Sequence, residues 1–179
     1  MEFITAKQNP AIYQDFDFLY REAFPKEEQI PLWYLKAKAK KSTSDCVGVY
    51  DGDIFVGLLN LIYHKEIVFV FFFAVSADLR GRGYGTKILE ELKERNPGKR
   101  VVLSIETVDM PCPNLSQRIR RKEFYRRNGF LPCGYRIVEK GVAYDMLSNG
   151  GVVTKAEFQK LIQNYMGAIL ARILYRYPK

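Results

Sequence analysis

The sequence is short of the side chains that usually carry metal or acid–base chemistry. Its 179 residues include one histidine, His64, and three cysteines, Cys46, Cys112 and Cys133. The cysteines are far apart and make no C-x-x-C pair, which argues against a zinc site and against a disulfide scaffold and suits a reducing cytoplasm. Cys112 sits between Pro111 and Pro113, which hold Val108 to Leu115 away from helix, and it reads as a loop thiol. His64 opens the turn His64-Lys65-Glu66 and reads as solvated. The expectation is a protein with no metal. Met1 to Lys7 has no long apolar core, so no secretory segment opens the sequence. No apolar run approaches the length of a membrane span, and no internal repeat is found. Acidic residues are the minority charge, 20 against 28 lysines and arginines, for a net charge of +8. That excess serves solubility, or it attracts a polyanion.

What is present centres on Phe69 to Leu92, FVFFFAVSADLRGRGYGTKILEEL. Ile67 to Val75 is an unbroken run of β-branched and aromatic residues, the pattern of a strand buried on both faces. A polar bend, Ser76 to Leu79, leads to Arg80-Gly81-Arg82-Gly83-Tyr84-Gly85. A helical pattern follows, with Ile88, Leu89 and Leu92 on one face. Glycines let a backbone approach a ligand, and the first-turn N–H groups of a helix lack partners. Strand, glycine turn and helix start therefore make an anion site, most naturally for phosphate. The spacing excludes a dinucleotide fingerprint, since Thr86 stands where the third glycine belongs. It excludes a P-loop, since Gly85-Thr86-Lys87 has the wrong order.

Arg80, Gly83 and Gly85 do fit R-x-x-G-x-G. Here the sequence resembles the GNAT superfamily of N-acetyltransferases, whose coenzyme A signature follows the fourth strand. The remaining order agrees. Phe3 to Thr5 reads as a short strand, Pro10 to Phe24 and Leu32 to about Lys40 as helices, and Cys46 to Tyr50 and Ile54 to Tyr63 as a hairpin around Asp51-Gly52-Asp53. Val101 to Thr107 follows a helix, so a right-handed crossover makes it parallel to the central strand. Leu131 to Val138 and Val142 to Leu147 form a last hairpin. The fold class expected is thus mixed α/β (α+β), mostly antiparallel, with a parallel splayed central pair, flanking helices and a C-terminal amphipathic helix. The resemblance implies an acetyltransferase domain over 1–147. Residues 148–179 form a linker and a helix from Thr154, capped with Glu157 and apolar along Phe158, Leu161, Ile162, Tyr165, Met166, Ile169, Leu170, Ile173 and Tyr177. That stripe is expected on this domain or on a second copy in a homodimer, with a membrane-surface helix, flanked by Arg172 and Arg176, as the alternative.

Ser116 to Asn128, SQRIRRKEFYRRN, is the second informative stretch. Arg118, Arg121, Lys122 and Tyr125 share one helical stripe, read as a wall around a phosphorylated ligand, with a solvated basic face as the alternative. Phe124-Tyr125-Arg126-Arg127-Asn128-Gly129-Phe130 matches the family signature F-Y-x-x-x-G-F. In many members that tyrosine protonates the departing thiolate. Arg118 stands where many members carry an asparagine.

The resemblance implies acetyl-coenzyme A as co-substrate. It is held by Phe73, Ala74 and Val75 along the pantetheine arm and by Arg80, Gly81, Arg82, Gly83, Tyr84, Gly85 and Thr86 at the phosphates. Arg118 and Arg121 complete the pool of phosphate contacts. Tyr125 is the expected acid, helped by neighbouring arginines that lower its pKa. The apolar central strand offers no base, so Glu106 is the candidate, with a charge-balancing carboxylate as the alternative. Glu27 and Glu28 belong to a loop that flanks the acceptor pocket in the family. The expected reaction is direct acetyl transfer to a primary amine on a small molecule or a protein. A basic nucleic-acid-binding module and a non-catalytic acyl-coenzyme A sensor are the competing readings; no nucleic-acid motif supports the former.

Overall fold

The computed structural model describes residues 1–109 and 111–178; Met110, inside the expected loop, and Lys179 lie outside the described residues. The chain divides into two compact units, Met1–Tyr63 with Val70–Asn96, and His64–Phe69 with Pro97–Lys179.

In the first unit, β1 (Glu2–Thr5), β2 (Ser44–Asp51) and β3 (Ile54–His64) form an antiparallel meander. The end of β4 (Ile67–Val75) follows it, and the Ser76 N–H donates to the Val56 carbonyl at 2.9 Å. The backbones of β3 and β4 come together at Gly57, where a Cβ would collide with the Ala74 carbonyl oxygen. A 3-10 turn at Pro10–Ile12, capped by the Asn9 side chain, leads into α1 (Tyr13–Ala23). That helix stops because Phe24 precedes Pro25 and is driven to an extended conformation, φ −120° and ψ 132°. α2 (Leu32–Ala39) is short. Phe16, Leu19, Tyr20, Leu35, Leu58 and Phe72 join one buried cluster. Each such side chain removed from water stabilises the fold by about 1.5–3 kcal/mol. α3 (Tyr84–Glu94) buries Ile88, Leu89 and Leu92, the face its periodicity marks.

In the second unit, the Arg100 N–H donates to the Glu66 carbonyl at 2.8 Å. β5 (Arg100–Glu106) thus starts beside the start of β4, and this is the one parallel pair among the described residues. β7 (Val142–Asn149) pairs antiparallel with β5 and with β6 (Leu131–Glu139). The strand register of β6 breaks between Pro132 and Arg136. α4 (Leu115–Arg127) connects β5 to β6. The C-terminal stripe is not one helix. α5 (Lys155–Met166) begins on the Thr154–Glu157 capping box and ends at Gly167, φ 91°; α6 (Ala168–Leu174) and the two-residue β8 (Tyr175–Arg176) follow. β8 pairs with Val138 and Glu139. Phe158 of α5 meets Phe69 edge-on, centroids 5.0 Å apart, and Arg100 grips Glu157 at 2.7 Å. Ile169 and Ile173 of α6 remain exposed. No helix among the described residues is long and apolar enough to cross a membrane.

Candidate active site

The glycine turn is built as an uncapped helix start. After β4 a 3-10 turn, Ala77–Leu79, redirects the chain. Arg80 Nε then donates back to the Val75 carbonyl at 3.1 Å, closing the turn on the strand end. Gly81 and Gly83 have φ of 77° and 83°, a region costly for other L-residues. A Cβ on either would meet nothing within 4 Å, so backbone conformation, not crowding, selects glycine here. Gly85 is different: it lies in the first turn of α3, with no positive φ, and what it contributes is the absence of a side chain there.

Gly83 is the N-cap of α3. No side chain caps the helix and its first turn has no acidic residue. The first intrahelical bond runs from the Lys87 N–H to the Gly83 carbonyl at 3.2 Å, so the N–H groups before Lys87 have no helical acceptor. Those donors and the positive end of the helix dipole favour an anion. Arg80 and Arg82 are exposed beside them. Thr86 is half-buried, as is Tyr84, whose hydroxyl is held by Asp51 at 2.9 Å; that bond raises the phenol's pKa above its ordinary value. On β4, Ala74 is buried while Phe73 and Val75 are half-buried.

In the second unit, α4 turns its basic stripe onto carboxylates. Arg118 Nη2 lies 2.6 Å from Glu106 Oε1, and Arg121 Nη1 lies 3.1 Å from Glu106 Oε2. Arg118 also donates to the Thr107 carbonyl at 3.1 Å and to Asn114 Oδ1 at 2.9 Å. Lys122 lies 3.5 Å from Asp145, which Arg136 binds at 2.7 Å; Arg136 also pairs with Asp109. Glu106 is buried, with both oxygens engaged. Arg118 and Arg121, expected at coenzyme A phosphates, therefore already hold a partner. Sequence spacing could not show this, because the pairing depends on how the fold lays α4 against β5 and β7.

Tyr125 is the one buried residue of α4, packed edge-on against Phe124 at 5.1 Å and Phe130 at 5.7 Å. Burial pushes its pKa from 10.0 up to about 12, although Arg121 pulls the other way. The lowering expected from neighbouring arginines is thus present but outweighed, because desolvation penalises a phenolate more than one partly exposed guanidinium favours it. Among the described residues no set of three His, Cys, Asp or Glu side chains gathers as a metal site.

The family model for the acetyltransferase (GNAT) domain matches residues 42–132, just over half of the chain. The chain belongs to the GNAT acetyltransferase family. This GNAT chain is similar to the Bacillus subtilis (strain 168) protein named "Putative acetyltransferase YjbC", 32% identical over 121 residues. The match covers 64% of this chain and 57% of that relative's length. A Bacteroides thetaiotaomicron protein assigned to the same family has the same fold, with TM-score 0.75 at 23% identity, covering 93% of this chain and 99% of the other. An aminoglycoside 6'-N-acetyltransferase solved in complex with coenzyme A shares it at TM-score 0.62 and 16% identity, covering 83% of this GNAT chain and 96% of that one. At such identities the likeness concerns the fold.

Proposed function

We propose that the protein transfers the acetyl group of acetyl-coenzyme A to a primary amine by direct attack. The observation that carries this reading is the start of α3. An uncapped, acid-free first turn follows two left-handed glycines, between a buried strand and an amphipathic helix, in a chain of the GNAT family. Acetyl-coenzyme A supplies the activated thioester. We assign its pyrophosphate to the N–H groups of Gly83, Tyr84, Gly85 and Thr86, with Gly81 shaping the turn and Arg80 and Arg82 adding charge. Phe73, Ala74 and Val75 are assigned to the pantetheine arm through their backbone groups.

The acceptor must arrive as a neutral amine. With both Glu106 oxygens on arginines, water is the better candidate to take the ammonium proton, and Glu106 the better candidate for an anchor. As the C–S bond breaks, the Tyr125 hydroxyl gives its proton to the sulfur. The nucleic-acid reading loses its main support, since Arg118, Arg121 and Lys122 already lie against carboxylates. The domain assignment proposed is catalytic over 1–147, with 148–179 appended.

The test is a panel of small-molecule and peptide amines with acetyl-coenzyme A, read by free thiol and by mass of the acetylated product. Amine-dependent thiol release establishes the transferase. Saturable binding of acetyl-coenzyme A with no thiol release from any amine favours the sensor. Binding of duplex DNA in preference to acetyl-coenzyme A at two salt concentrations favours the nucleic-acid module.

A further inference from the structure

Resting on the start of α3 as the coenzyme site, we infer that Asp51 is a positioning residue. As the acceptor for the Tyr84 hydroxyl it latches the first turn of α3 to the β2–β3 hairpin, and so keeps the free N–H groups aimed at the coenzyme pyrophosphate. The connection from β4 to α3 carries two left-handed glycines, Gly81 and Gly83, and a Cβ at either would meet nothing within 4 Å. Packing does not confine these two positions, so the ends of the connection must set their conformation. Both ends are bonded to the same hairpin. At the entry, Ser76 Oγ donates to the Phe55 carbonyl at 3.1 Å, and the Ser76 N–H to the Val56 carbonyl at 2.9 Å. At the exit, Tyr84 Oη donates to Asp51 Oδ2 at 2.9 Å. Phe55 and Val56 lie on β3 and Asp51 is the last residue of β2, so the hairpin turn joins the anchor points. The pairing of β2 with β3 shifts register between Val49 and Tyr50, and such an irregularity re-aims the side chains beyond it, Asp51 among them.

Tyr84 is the first residue of α3, and its ring is engaged as well as its hydroxyl: Lys87 Nζ lies 5.6 Å from the ring centroid. Charge alone argues against a carboxylate at this place. Asp51 sits within a hydrogen bond of the residue that opens a helix assigned to an anion, and like charges repel. An acid here works against coenzyme binding unless what it contributes is geometry. The two effects can be separated. Asparagine at position 51 still accepts a hydrogen bond through its amide oxygen, alanine does not, and neither is charged.

The experiment titrates coenzyme A by calorimetry, at two salt concentrations, into the full chain as wild type, Asp51→Asn, Asp51→Ala and Tyr84→Phe, and into Tyr84→Phe combined with each Asp51 variant. Unfolding curves confirm that each protein is folded. Asp51→Ala should bind coenzyme A about threefold to tenfold more weakly than Asp51→Asn, the range of one lost hydrogen bond. That ratio should hold at both salt concentrations, since it compares two neutral side chains. Asp51→Asn should bind at least as tightly as the wild type, having kept the acceptor and lost the charge. Tyr84→Phe should weaken binding, and in its background the difference between the asparagine and alanine variants should vanish. Equal affinity of Asp51→Asn and Asp51→Ala overturns the inference. So does a difference that persists in Tyr84→Phe, because Asp51 then acts through some other group. In either case a wild type that binds coenzyme A keeps the coenzyme site. A wild type that does not bind it overturns that site and the inference with it. Binding that follows the latch, with no thiol release from any amine, leaves the inference standing and removes only the transferase.

Discussion

Tyr125→Phe keeps the ring in its slot between Phe124 and Phe130 and deletes only the hydroxyl. The buried phenol has its pKa raised from 10.0 to about 12. The thiol of coenzyme A, by analogy with cysteine, has a pKa of about 8.5, so complete proton transfer from Tyr125 to the thiolate is uphill by about 3.5 pK units, about 5 kcal/mol. A free phenolate is therefore not a resting species. The proton must move as the C–S bond breaks, while the sulfur is still gaining charge. Loss of the donor should lower kcat by roughly 10²–10⁴, about 3–5 kcal/mol of barrier, with acetyl-coenzyme A affinity little changed. The assay is steady-state turnover on an acceptor from the amine panel, with coenzyme A binding measured separately. Burial also fixes the pH behaviour. The folded protein holds the phenol proton more tightly than the unfolded chain, so this group's stabilisation is complete below pH 10 and is lost as the pH rises towards about 12. Tyr125 should impose no alkaline limb on the rate below that range. Full activity in folded Tyr125→Phe would refute the acid assignment. A wild-type limb near pH 9 that this substitution abolishes would keep the acid assignment and overturn the raised pKa.

Gly57→Ala puts a methyl group into the Ala74 carbonyl and should cost about 1–3 kcal/mol in denaturant unfolding, as overpacking does. Glu157, bonded by Arg100 and by the Thr154 cap, has its carboxyl pKa lowered from 4.5 to about 2. Its contribution to stability is complete above pH 4.5 and fades as the pH falls towards about 2; urea unfolding across that window should flatten in Glu157→Gln. Arg80→Ala and Arg82→Ala should each weaken coenzyme A binding by up to about 1.5–3 kcal/mol where a charged hydrogen bond is lost, and calorimetry at two salt concentrations reads both.

Local chemistry made much of the fold legible. The apolar run Ile67–Val75 is β4 to the residue, and the periodic face Ile88, Leu89, Leu92 is the buried face of α3. The Phe24-Pro25 step ends α1 where proline sterics require. The C-terminal stripe was legible as apolar but not as broken. Its residues keep helical spacing across Gly167, and only the backbone shows that this glycine divides the helix. At the candidate site the glycine turn was legible because its signal lies within one short stretch. The partners of Arg118 and Arg121 were not, because ion pairing depends on which strands the fold brings under α4. The same holds for Tyr125, whose motif could be read directly while the balance between burial and Arg121 could not.

The start of α3 is tested most directly by titrating acetyl-coenzyme A into the wild-type protein and into Gly83→Val by calorimetry, with folding of both checked by unfolding curves. Valine at φ 83° strains the backbone by about 1–2 kcal/mol while its Cβ meets nothing within 4 Å, so the protein should remain folded while the N–H groups lose their aim. The expected result is saturable binding to the wild type, weaker at higher salt, and a loss of affinity in the variant that exceeds its loss of stability. Equal affinity in a folded Gly83→Val protein would contradict the assignment of the coenzyme to this turn.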